Sequence, residues 1–146
     1  MKFIGTSEAI KKTDFGMIEQ ELNIVFPQEF KEHYLIYNGG YPENSFYRWP
    51  DGTTTHINSF SSLKHKGFES IEDSYNNLIL MESYLPKQIL LFATDDGGNF
   101  FCISCRKNDF GYIYYCNNDH YNTEKPEECL SLLDKSFKHF VDNLSD

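Results

Sequence analysis

Three apolar, β-prone runs follow one another at residues 89–93, 100–105 and 112–116, joined only by short polar connections. The first connection is Thr94-Asp95-Asp96-Gly97-Gly98-Asn99, and the second centres on Asn108-Asp109-Phe110-Gly111. Links this short leave no room for a crossover helix, so the strands must pair antiparallel. Glycine, asparagine and aspartate supply the positive-φ conformations that reverse a strand. The block therefore predicts a β-meander.

The flanks read as helices. In TDFGMIEQELNI, residues 13–24, Phe15, Ile18 and Leu22 recur at helical spacing, with Thr13 or Asp14 as the cap. Pro27 opens a second helix, whose stripe of Phe26, Phe30, Tyr34 and Tyr37 ends at Asn38-Gly39-Gly40. A third starts at Ser70 with Asp73 as a capping-box-like partner, sets Ile71, Tyr75 and Leu78 on one face, and is closed by Pro86. A last amphipathic helix is expected from Pro126, carrying Leu130, Leu133, Phe137, Phe140 and Leu144. Residues 41–66 read as turn-rich and poorly structured, with a strand near 54–60. The expected fold is α+β over a single domain, residues 1–146: an antiparallel meander or mixed sheet flanked by an N-terminal αα unit, a middle helix and a C-terminal amphipathic helix.

The quoted acids and glycines do not have the pattern of an ion site. A calcium loop needs acids at alternating positions and a later bidentate Glu, whereas Asp95 and Asp96 are adjacent. A phosphate cradle runs into a helix, and here aromatic strand residues follow. The spacing of Cys102, Cys105, Cys116 and His120 resembles a zinc set. Cys102 and Cys105 lie within a β-prone run without a knuckle, however, which disfavours convergence, and the reading is no metal and no cofactor. No Ser or Cys stands on a G-x-S-x-G elbow, and the five histidines sit beside polar residues, with His33 and His139 read as surface groups. No catalytic residue is assigned.

Charge narrows the partners. Thirteen basic and 22 acidic residues give a net charge of −9, which opposes nucleic acid and anionic membranes and suits a basic protein. No run approaches the roughly 20 apolar residues of a membrane span, and the N-terminal MKFIGTSEAIKK is too polar for a secretory signal. A cytoplasmic location with reduced thiols is expected. The candidate contacts are Glu43, Phe46, Tyr47, Arg48, Trp49 and Asp51, rich in interface-anchoring types, and Asp95, Asp96, Asp109 and Asp119 on turns. These acids would form a rim if their turns share one edge of the sheet.

An ordered set of motifs resembles the SUKH superfamily, which includes yeast glucan-synthesis regulators of the Smi/Knr type. The first motif is Ile18-Glu19, Leu22, Phe26-Pro27, Phe30-Lys31 and Tyr37-Asn38-Gly39-Gly40. The second is Asp95-Asp96-Gly97-Gly98 between two strands, the third Gly111-Tyr112-Ile113-Tyr114, and the last Ser136-Phe137 with Phe140 and Leu144. Ser104 and Cys116 depart from that pattern, which often has Asp and Trp there. The resemblance implies a non-enzymatic module: an immunity protein that binds and neutralises a cognate bacterial toxin, such as a basic nuclease domain. A regulatory scaffold of the glucan-synthesis type is the alternative, and a zinc protein built on the thiols a third.

Overall fold

The meander forms and recruits strands on both sides. The computed structural model describes residues 1–65, 70–120 and 122–146. β1 (Phe3–Ile4) and β2 (Tyr41–Pro42) make a small antiparallel sheet. β3 (Phe46–Arg48), β4 (Thr54–Phe60), β5 (Ile89–Asp95), β6 (Phe100–Ser104), β7 (Ile113–Cys116) and β8 (Leu130–Asp134) form one antiparallel sheet in chain order. Four helices accompany them: α1 (Lys12–Leu22), α2 (Gln28–Ile36), α3 (Ile71–Ser74) and α4 (Phe137–Asp142). The class is α+β, as expected. Lys66, the last residue of the stretch read above as turn-rich, lies outside the described residues.

Aromatic rings join the layers. The Phe30 ring of α2 lies 4.5 Å from Tyr34 and 5.4 Å from Phe137 of α4. Phe92 of β5 lies 5.3 Å from both Phe60 and Phe137, which fixes the helices to the sheet. Such pairs contribute about 0.5–1.5 kcal/mol each beyond their burial. β5 is buried on both faces, so its apolar residues run continuously rather than alternating.

The helix ends follow local chemistry, with some corrections. α1 begins at Lys12, so neither Thr13 nor Asp14 is the N-cap residue. Asp14 instead reaches back from the first turn to accept the Lys11 N–H at 2.8 Å. At the other end Asn23 takes the left-handed conformation, φ 56°. Ser70 caps α3 by accepting the Asp73 N–H at 3.2 Å, as its sequence predicts, and the chain continues as a π-helical stretch over Tyr75–Met81.

Asn38-Gly39-Gly40 does more than end α2. The buried Asn38 amide donates to the carbonyls of Glu8 at 2.8 Å and Leu63 at 2.9 Å, and its oxygen accepts the Leu63 N–H. Gly40 exchanges two backbone hydrogen bonds with Phe60. A Cβ there would sit 2.6 Å from the Ile4 carbonyl oxygen, and φ is +100°, so only glycine fits.

The C-terminal helix is the main correction. Pro126–Cys129 is a 3₁₀ turn, Leu130–Asp134 is strand, and helix occupies only Phe137–Asp142. The open backbone edge of β7 needs partners, and β8 supplies them, with Cys116 opposite Leu130 and Ile113 opposite Asp134. Ser136 then restarts the chain as helix by accepting the His139 N–H. The region around 46–49 also corrects the reading: it is strand β3, paired with β4, rather than irregular.

The sheet curls until its two edges meet. The Tyr47 hydroxyl on β3 reaches the Leu133 carbonyl on β8 at 3.4 Å. Trp49 stands edge-on to Tyr115 of β7 at 5.4 Å. Ser145, beyond α4, exchanges two backbone hydrogen bonds of 2.9 Å with Phe46. The C-terminal segment thus holds the first strand in place.

Candidate functional site

Strand direction decides which turns share an end. In a six-stranded meander the β3–β4, β5–β6 and β7–β8 connections emerge together, and the β6–β7 turn emerges opposite. Exposed Asp51, Asp96 and Asp119 therefore lie at one end of the sheet, and Asp109 at the other. Glu43, before β3, is exposed and stays near the N-terminal strand, where its N–H donates to the Lys2 carbonyl at 2.8 Å. The rim exists for part of the expected set.

Asp95 is not a displayed acid. It is buried, and its carboxylate accepts the N–H groups of Gly97 at 2.9 Å and Asn99 at 2.8 Å, the Asn99 amide and the Tyr115 hydroxyl at 2.5 Å. Burial alone would raise its carboxyl pKa, but these donors outweigh that and hold it below the usual range. It shapes the hairpin turn. Asn118 locks the same turn from the β7–β8 connection, its N–H donating to Asn99 at 2.8 Å and its amide to the Gly98 carbonyl. Asp96, next in sequence, points outward and meets His56 Nδ1 at 2.8 Å.

Asp109 is likewise internal. Its carboxylate receives the Arg106 guanidinium, the Ser104 hydroxyl and the Tyr114 hydroxyl, the last at 2.6 Å. Burial pushes its pKa up and these donors bring it down to about 2, while burial and Asp109 push Tyr114 up to about 12. Arg106 also bridges to exposed Glu127, which fastens the β6–β7 turn to the segment before β8.

The aromatics at 46–49 split in the same way. Tyr47 stacks on Phe140 at 5.7 Å, and the Trp49 indole N–H donates to Thr55 Oγ1 at 2.8 Å. Phe46 lies against the His56 ring at 4.9 Å, and Arg48 is exposed. Tyr47 and Trp49 seal the seam of the curled sheet, leaving only their outer edges as contact surface.

Beside the acidic end opens a cleft of about 620 Å³. Its walls come from segments far apart in sequence: Gly5 and Ser7, the Asn38–Tyr41 turn, the end of β4 through Ser62, and the β5–β6 turn. Hydroxyls of Ser7, Ser59, Ser61 and Thr94 line it, with Tyr41 and Phe100 at its margins. Among the described residues that line it, Asp95 and Asp96 are charged and none is Lys or Arg. Sequence reading singled out the two acids but missed the hydroxyls, because nothing local brings residues 7, 59 and 94 together. The signal available was Gly39-Gly40, which was read only as a helix stop.

Two further expectations meet the structure. His33 is not a surface group: its ring packs among Phe3, Tyr34, Tyr37, Phe60 and Phe137, and burial lowers its pKa to about 4. Cys102, Cys105 and Cys116 are buried in or just past strands while His120 is exposed on a 3₁₀ turn, and Cys116 contacts Cys129 at 2.8 Å between sulfurs. Among the described residues no three His, Cys, Asp or Glu side chains converge as metal ligands. Among the same residues no helix is long and apolar enough to cross a membrane.

Comparison with known families agrees with the motif order. The family model described as SMI1 / KNR4 family (SUKH-1) matches residues 9–143, which takes in the six-stranded sheet, α1 to α4 and all of the described cleft lining except Gly5 and Ser7. No curated protein matches the chain.

Proposed function

The chain belongs to the SMI1 / KNR4 family (SUKH-1), and from that premise we propose that it is a non-enzymatic, cytoplasmic binding protein that neutralises a cognate toxin domain of basic character. The observation that carries this reading is the grouping of exposed Asp51, Asp96 and Asp119 at one end of the six-stranded sheet, beside the cleft. A nuclease-type domain is positively charged where it grips phosphate. A partner of charge −9 is attracted to that face over a Debye length and blocks it without any chemistry of its own.

The test is association with a basic toxin domain encoded beside this chain. Complex formation should be fast at low salt and slow as salt rises. The triple variant Asp51→Asn, Asp96→Asn, Asp119→Asn should lose about tenfold in association rate while its circular dichroism stays unchanged. Unaltered association would remove the acidic end from the reading. The family's regulatory members support a second reading, a scaffold, which would show several weak partners in place of one tight complex.

A further inference from the structure

The cleft beside the acidic end presents polar residues from several segments of the chain. Ser61 is only 8% exposed, and both of its backbone groups are engaged: its N–H donates to Phe92 at 2.7 Å and its carbonyl accepts the Tyr34 hydroxyl at 2.8 Å. Its side-chain hydroxyl lines the cleft and has no hydrogen-bond partner among the described residues. A hydroxyl on this wall without a partner of its own chain can accept from, or donate to, a ligand that enters the cleft. The hydroxyls of Ser59 and Thr94 stand in the same wall with no partner of their own chain among the described residues.

The charge of the walls selects among ligands. The described lining residues include two carboxylates and no Lys or Arg, a balance that disfavours phosphate and carboxylate groups. Asp95 is fixed by three donors of its own turn and by the Tyr115 hydroxyl, so its negative charge is held in place before any ligand arrives. Asp96 stands at the mouth, its side chain 64% exposed and paired with His56 Nδ1 at 2.8 Å, an ion pair that an entering guanidinium joins or displaces. Tyr41, 47% exposed, offers a ring face at the margin. Acceptor oxygens on a wall, fixed negative charge and an aromatic edge suit a planar cation with several N–H donors.

We propose that this cleft receives an arginine side chain from a loop of the protein partner, with the Ser61 hydroxyl and Asp96 as its acceptors. The volume exceeds one side chain, so neighbouring residues of that loop enter with it. This deepens the toxin-binding reading and rests on it for the identity of the partner, but not for the chemistry of the cleft.

The test uses the full chain and N-acetyl-arginine methylamide as probe, followed by amide NMR. The expected result is saturable shifts at Ser61, Gly98 and Phe100, with the uncharged citrulline counterpart binding at least about fivefold more weakly. Ser61→Ala should weaken the probe about threefold or more, and Thr94→Arg, which places a guanidinium in the cleft, should abolish the shifts. Should Thr94→Arg fail to fold, Ser61→Ala carries the test alone. Equal binding of citrulline, shifts elsewhere, or no shift would overturn the proposal. Free L-arginine binding more tightly than the blocked residue would also overturn it, in favour of a small-molecule site. If the toxin complex survives Ser61→Ala and Thr94→Arg unchanged, the cleft is excluded and toxin binding stands. If the probe binds but no basic toxin domain does, the toxin reading fails alone.

Discussion

The acids of this chain look alike in sequence and have different surroundings in space. Asp109 is set among Arg106, Ser104 and Tyr114, with its side chain 6% exposed. Asp109→Asn leaves the guanidinium without its carboxylate and should cost about 3 kcal/mol in urea unfolding at neutral pH. The sign with pH follows from a depressed carboxyl: the ordinary value is 3.8 and the folded value about 2. Its stabilisation is complete above the ordinary value and is lost as pH falls through 2. His33 behaves in a parallel way for a base. Burial lowers it from 6.5 to about 4, against a weak opposing pull from Asp142, so the folded state holds a neutral ring. Its contribution is full above pH 6.5 and fades as pH falls toward 4. His33→Phe should flatten thermal stability across that window and change neutral-pH stability by less than about 1.5 kcal/mol, because Nε2 is buried without a partner.

At the scale of elements, the meander was legible because its runs are uniformly apolar and its links are turn chemistry. The C-terminal helix was misread because Leu130, Leu133, Phe137 and Phe140 fit helical spacing equally well as strand followed by helix. Only the vacant edge of β7 separates the two. Ser136 was the available local signal, since it accepts the His139 N–H at 3.1 Å and donates to Glu29 of α2 at 2.9 Å. Ser136→Ala should cost about 1–2 kcal/mol by thermal unfolding, and backbone ¹³C shifts should report strand at 130–134 in the native chain. The start of the middle helix follows from Ser70 and Asp73, whose cap is entirely local, but the chain turns π-helical at Tyr75, which buries Ile79 in place of the expected Leu78.

For the whole molecule, closure of the curled sheet depends on the last residues of the chain. Removing residues 145–146 deletes both hydrogen bonds to Phe46 and frees β3 to move from β7. Trp49 is the single tryptophan and sits at that seam, against Tyr47 and Tyr115. The truncated chain should show red-shifted tryptophan emission and a Tm lower by about 3–6 °C, the shift expected for about 1–2 kcal/mol in a chain of this size. Unchanged emission would mean that the side-chain contacts hold the seam without the C-terminal strand pair. The overall acidity acts at the same scale. It sets how the molecule meets a partner, whereas the fold places Asp51, Asp96 and Asp119 where that charge is concentrated.

By itself the sequence determined the α+β class, the meander, the two N-terminal helices and the motif order that marks the family, because each rests on periodicity or turn chemistry within a few residues. Tertiary structure alone decided that Asp95 and Asp109 are internal anchors, that 130–134 is a strand, that His33 is packed among aromatics, and that Ser7, Ser59, Ser61 and Thr94 line one cleft. Those outcomes depend on groups dozens of residues apart, where burial and the need to satisfy every buried polar group outweigh local preference.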